Sequence, residues 1–241
     1  MNFILRLYYF VHMFKDLIKK LGSLMGGGVA VDPSRFNDPL ALKTGWTPNK
    51  SGGSNFCTHR MAEIGPDRLE FKATAAASLF CAVFMITGLG VAVAFTAGQL
   101  AHGMRLFSWE IFGAALIGVL FAVIGGIMLY TGRAPIVFDK RSGFYWKGRT
   151  SPQESFNAAG IKECAKLKDI HALQIISERC RSKNSSYLSY ELNLVLGNGK
   201  RLTAVDHGSY PKLREDAEKL SAFLGKPLWD AIAYAGFIPQ R

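Results

Sequence analysis

Charge is missing from two long stretches of this 241-residue chain: no Asp, Glu, Lys or Arg lies between Lys72 and Arg105, and none between Glu110 and Arg133. Each gap is longer than the roughly 20 apolar residues with which an α-helix crosses a hydrocarbon core about 30 Å thick. Neither run carries an ionisable group in its middle, which argues against a transport path or proton relay, since those need such groups facing the pathway. The chain also lacks the G-x-S-x-G, H-E-x-x-H and G-x-x-x-x-G-K-[ST] signatures, removing the commonest hydrolase, metalloprotease and nucleotide-binding readings. Cysteine is scarce. Cys57, Cys81, Cys164 and Cys180 form no C-x-x-C pair and have no His at ligand spacing. Neither disulfide, zinc nor any other cofactor is expected.

What is present fits those absences. "ATAAASLFCAVFMITGLGVAVAFTAG" (73–98) and "IFGAALIGVLFAVIGGIMLYTG" (111–132) read as membrane spans, with Trp109 and Tyr130 as interfacial aromatics. The short loop between them makes a hairpin over 73–132, with spans at 73–98 and 109–132. The net charge of +11 sits on its flanks: 10 Lys or Arg in residues 1–72 and 18 in 133–241, against Arg105 alone in the loop. Basic flanks stay in the cytoplasm, which predicts both termini inside. Because these charges are spread over two flanks that need them for orientation, no nucleic-acid partner is expected. Small residues recur every fourth position at Ala114, Gly118, Ala122 and Gly126 in the second span and at Gly88, Ala92 and Thr96 in the first. Such ridges let helix backbones approach closely. They are expected to close the hairpin on itself, with a homo-oligomer contact as the alternative use.

Before the spans, Phe3, Leu7, Phe10, Phe14, Leu17, Leu21 and Leu24 alternate at spacings of four and three, predicting an amphipathic interfacial helix over 1–25 that Gly26 stops. Arg6, His12 and Lys15 interrupt the apolar run that a signal peptide would need. Residues 26–56 hold Pro33, Pro39, Pro48 and "KSGGSN" and read as a linker that wraps another surface through Phe36, Trp46 and Phe56. Residues 57–72 read as two short strands around Gly65, Pro66 and Asp67.

Beyond the spans the period is that of strands. "PIVFDKRSGFYWKGR" gives two, around Arg141, Ser142 and Gly143, and "IHALQIISERC" a third. "YLSYELNLVLGNGKRLTAV" predicts a hairpin with Leu188, Tyr190, Leu192, Leu194 and Leu196 on one buried face, Asn193 on the open face, and a type I′ turn at Asn198 and Gly199. A helix follows, with Leu213, Ala217, Leu220 and Leu224 on one stripe, Pro211 in its first turn, Gly225 as its stop, and Glu215 and Asp216 on the solvent side. "KPLWDAIAYAGF" suggests a last short helix.

The stretch "AVDHG" holds the one pairing of acid and imidazole that could suggest catalysis. Adjacent strand residues point to opposite faces, so Asp206 and His207 cannot form a relay directly. They are expected to end a strand, with Gly208 taking a positive φ in a structural turn.

The succession "IVFDKRSGFYWK", "ALQIISE", "YELNLVLGNGKRL" and "LREDAEKLSAFLG" resembles bacterial inner-membrane proteins that carry a pleckstrin-homology-like domain beside a transmembrane hairpin. The resemblance covers 135 to about 228, joined by the strands of 57–72. It implies a membrane α+β fold, with a cytoplasmic antiparallel PH-like domain over 133–241 closed by a C-terminal helix, and it brings no catalytic residues. Such folds are lipid- or protein-binding platforms, but no concentrated basic loop marks a headgroup site. The expected function is a non-enzymatic inner-membrane protein, in contact with the lipid bilayer, whose module binds a protein partner or supports a membrane assembly. The rivals are an immunity protein that neutralises a membrane-acting toxin and an enzyme using His207 with a distant carboxylate.

Overall fold

The computed structural model describes residues 31–49, 52–103, 109–153, 163–181 and 185–234, so the amphipathic helix expected over 1–25 lies outside the described residues. A 3-10 turn, Pro33–Phe36, and a short helix α1, Pro39–Lys43, are capped by the Asp32 and Asp38 carboxylates, with Pro at the helix start where a missing N–H costs nothing. Strands β1 (His59–Gly65) and β2 (Arg68–Ala73) then pair antiparallel. Through a single residue, Thr74, β2 runs into helix α2 (Ala75–Ala101). Helix α3 (Trp109–Gly132) returns into β3 (Ile136–Asp139), followed by β4 (Phe144–Lys147) and β5 (Cys164–Lys166). These strands make one antiparallel sheet in the order β1-β2-β3-β4-β5. The helical hairpin is thus spliced between two neighbouring strands, with Phe71 opposite Ile136 and Arg68 opposite Asp139. Both helices are long and apolar enough to cross a membrane, by length and composition.

A second sheet follows from β6 (Ile170–Arg181), β7 (Ser186–Leu196) and β8 (Arg201–His207). Helix α4 (Tyr210–Leu224), strand β9 (Leu228–Asp230) and helix α5 (Ala231–Tyr234) complete it, in the order β8-β7-β6-β9. The sheets enclose one core. Leu69, Phe71, Phe138 and Tyr145 of the first meet Leu173, Ile175, Leu192 and Leu194 of the second, and Leu213, Ala217 and Leu220 of α4 close the end. Gly225 stops α4 in the left-handed conformation at φ 65°, as its position after the apolar stripe predicts. The architecture is α+β: two apolar helices, two sheets and a C-terminal helix.

Four local expectations are corrected. The turn between β7 and β8 is not type I′, because Gly199 has a positive φ (80°) and Asn198 does not. Three residues, Gly197 to Gly199, make the connection, with Gly199 as the left-handed residue of a bulged hairpin and the Asn198 side chain accepting from Lys200 N–H. The outer face of β7 is not open: Asn193 is 0% exposed and Glu191 4%. Asp216 is not on the solvent side of α4. Its carboxylate accepts the Met61 N–H of edge strand β1, and burial raises its pKa, while Glu215 faces solvent with Lys219 at 2.8 Å. Lastly, "PLWD" is not purely helical, since β9 adds to β6 as a parallel edge before the four-residue α5.

What covers the outer face of β7 is the segment preceding β1. Phe36 and Trp46 stack at 4.9 Å and both lean on Trp229 at 6.0 Å, over Ala172 and Val195. Buried carboxylates then hold the strap's backbone: Glu191 accepts from Asn49 N–H at 3.1 Å, and Glu178 accepts from Gly52 and Gly53 N–H at 3.1 and 3.2 Å. Asn49 Nδ2 donates to Asn193 Oδ1 at 3.2 Å, and His171 meets Asp38 at 2.7 Å. The linker does wrap, and Glu178, Glu191 and Asn193 each gain a partner from it.

Candidate functional site at the root of the helical hairpin

The two small-residue ridges face each other. A Cβ added at Gly88 would lie 2.5 Å from Ala122 N and 2.7 Å from Gly118 O, and one at Gly118 would lie 2.7 Å from Ala92 Cβ and from Gly88 O. Gly88, Ala92, Gly118 and Ala122 are therefore the backbone contact that closes the hairpin. One expected member lies at the margin of this contact. Gly126 sits at the rim, with only Met85 Sδ at 4.0 Å, and the neighbouring Gly125 is in the interface, 2.5 Å from Met85 N by the same construction. Thr96 turns back on its own helix and donates to Ala92 O at 2.7 Å. The Ala114 side chain is outside the described residues.

Asp206, His207 and Gly208 do not form a turn. Asp206 and His207 are the last residues of β8, opposite Glu191 and Tyr190, and His207 also bridges to Cys57. Gly208 has no positive φ. It is glycine because the strap passes against it: a Cβ would run into the Asn55 carbonyl carbon and the Phe56 nitrogen, while Gly208 N–H donates to Phe56 O at 3.0 Å. His207 is 2% exposed; its Nδ1 lies 3.0 Å from Ser209 N, and the ring also hydrogen-bonds to the His59 backbone. Burial lowers its pKa, and both contacts fasten the ring to backbone, the arrangement of a clamp. From here a chain of bonds leads to the hairpin. Thr58 Oγ1 donates to Asp206 O, Thr74 N–H donates to Thr58 O at 2.9 Å, and Thr74 Oγ1 donates to Cys57 O at 2.7 Å while capping Ala77 N–H at 3.2 Å.

Beside that clamp, where α2 begins and α3 ends, lies a cleft of about 300 Å³. Ala77, Phe80 and Cys81 of α2, Met128 and Leu129 of α3 and Phe56 of the strap give it an apolar wall, with Arg133 at its edge. A second cavity of about 310 Å³, lined by Lys147, Asp206, Thr131 and Gly148, shares Ser54, Thr58, His59 and Gly132 with the first, so the two adjoin. Lys147 Nζ is 2.7 Å from Glu163. The Arg149 guanidinium lies 4.1 Å over the Tyr130 ring and donates to Tyr130 O at 2.8 Å. Burial, then the charge of Lys147 and the proximity of His207, pushes the His59 pKa down to about 4, so the ring is neutral near pH 7. The cleft is amphipathic, apolar toward the helices and polar toward the sheets.

Sequence reasoning placed His207 and Gly208 near a junction but missed His59, Arg133, Lys147 and Arg149. The available signal was their position: Arg133 directly follows the second charge-free run, and Lys147 and Arg149 lie one β-hairpin further on. Among the described residues no group of His, Cys, Asp and Glu is gathered to hold a metal ion. No family model, curated protein or solved structure matches the chain.

Proposed function

We propose that the protein is a non-enzymatic bacterial inner-membrane protein, inserted through α2 and α3 with both termini in the cytoplasm, whose PH-like β module holds a protein partner at the membrane surface. The observation that carries this reading is the distribution of apolar surface. Among the described residues, every exposed large apolar side chain except Leu42 and Ile64 lies on α2 or α3. A water-soluble chain does not leave two helices bare in this way, whereas a bilayer covers them without any further protein. The continuous passage from β2 into α2 and from α3 into β3 fits an anchor that fixes the module's position. The His207 ring, buried and fastened to backbone on both sides, fits a chain with no acid–base chemistry at that point.

Reporter fusions after Arg241 and within residues 99–103 test the orientation, and a cytoplasmic C-terminus with an external loop is the expected pair of signals. A photo-crosslinking residue at Ile64, 49% exposed on the module, should trap one discrete protein in native membranes. An external C-terminus would reverse the orientation, and a module that traps nothing from Ile64 or Leu42 would remove the partner. If the trapped protein were a membrane-acting toxin, the immunity reading would replace the assembly one.

A further inference from the structure

We propose that the cleft at the hairpin root holds one membrane phospholipid, with an acyl chain against Phe80, Cys81 and Met128 and the phosphate diester beside Arg133. This rests on the reading of α2 and α3 as membrane-inserted. The cleft changes character along its length in the order in which a lipid does. Its helix end is almost wholly apolar, and Phe56 and Phe80 stand 6.2 Å apart across the junction of strap and helix. Water is a poor occupant there, because a buried water needs two to four polar partners. An acyl chain is a good one, since the cleft opens between helices whose other faces meet hydrocarbon.

The polar end supplies both signs. Arg133 is exposed and directly follows α3; Lys147, held by Glu163, and Asp206 line the adjoining cavity. A phosphodiester needs a fork-like donor, which Arg133 provides, and basic positions between helices at the cytoplasmic surface are where lipid headgroups bind. His59, held neutral by burial beside Lys147, donates its one N–H to Thr58 Oγ1 at 3.0 Å and brings no second full charge to the site. A water-soluble anion would gain the polar half alone and leave the apolar half empty. That mismatch favours a bilayer lipid over free phosphate.

The test uses the full chain in nanodiscs of phosphatidylethanolamine and phosphatidylglycerol, with a trace of either lipid carrying a photoactivatable acyl chain, and maps the labelled residues by mass spectrometry. Labelling should concentrate on Phe80, Cys81 and Met128 over Val93 and Ile117, which face outward from the same helices. Arg133→Gln should lower cleft labelling about tenfold, the effect of losing one charge-assisted hydrogen bond, and leave labelling at Val93 and Ile117 unchanged. Ala77→Trp, which fills the cleft, should abolish it, with protease resistance of the β module as the check on folding. Enrichment with both lipids supports recognition of the phosphate; equal enrichment by a photoactivatable diacylglycerol overturns it. Uniform labelling of both helices, insensitive to Arg133→Gln, overturns the lipid site but leaves insertion standing. No labelling at Val93 or Ile117 overturns insertion itself.

Discussion

In the helical hairpin the smallest side chains make the contact and the largest face outward, whereas in the β module the largest are inside and the surface is polar. Gly88 and Gly118 bring backbone against backbone, while Val93, Leu116 and Ile117 project away from the helix pair. In the module, Trp229, Tyr145, Phe71 and Phe138 fill the interior. The difference follows from what each region exchanges on folding. Burial from water rewards large apolar groups in proportion to their area, roughly 25 cal/mol per Å². With α2 and α3 inserted as proposed, that reward is absent between them, and close approach of small residues supplies the contact energy instead. Within one chain, Gly and Leu therefore exchange roles at the Thr74 boundary.

Four experiments can break or sharpen this comparison. The largest effect is expected from Leu192→Asp, which places an unpaired charge in the module's core at a position with no exposure, a cost of about 4 kcal/mol or more. Rapid proteolysis of the C-terminal half should follow, and a protease-resistant variant would mean that β7 does not face the core with its leucine row. Next is Gly118→Leu, which must force α3 off Gly88 and Ala92 and should sharply reduce accumulation in membranes, while Val119→Leu on the outward face should be silent. If both variants accumulate equally, the small ridge is not the contact.

Gly208→Ala should destabilise the module by about 1–3 kcal/mol, the cost of forcing an atom into a packed site, because its Cβ meets the Asn55–Phe56 backbone. His207→Gln should cost less and preserve function, since Gln retains hydrogen-bonding groups at both ends of the amide. Thermal melts rank the two, and the reverse order would mean that the ring, not the glycine, holds the strap. The last effect is with pH. His59 has a folded-state pKa near 4, below its unfolded value of about 6.5, so the unfolded chain takes up the proton first. Its contribution is intact above pH 6.5 and is lost as the pH falls toward 4. Melting temperatures over that range should fall more steeply for the native chain than for His59→Gln, and parallel curves would remove His59 as the cause.

The elements legible in the sequence were those in which one periodicity governs many residues. The charge-free runs became α2 and α3, the Leu192 row became the inner face of β7, and Leu213, Ala217 and Leu220 became the buried stripe of α4. What escaped depends on a second segment that sequence distance hides. Asn193 read as lying on an open face because nothing local shows that Asn49 will lie on it, or that Asn49, Gly52 and Gly53 will meet Glu191 and Glu178 beside it. Gly208 was recognised as constrained, but by close approach of Asn55 and not by φ. Strands β5 and β9 have three residues each, too few for an alternation to register. The cleft was invisible for the same reason as the strap, since its walls come from Phe56, Phe80, Met128 and Lys147.

The splice of the hairpin between β2 and β3 also bears on how the chain reaches its fold. Pairing Phe71 with Ile136 would otherwise require closing a long loop, an entropic cost that grows with the logarithm of its length. Two antiparallel helices that have already zipped along Gly88 and Gly118 bring the ends of β2 and β3 together, turning a distant contact into a nearly local one and lowering the effective contact order of the first sheet. Strands β1 and β2 leave the ribosome before the helices, and β3 to β5 after them. Completion of that sheet is therefore favoured in chains whose hairpin has closed.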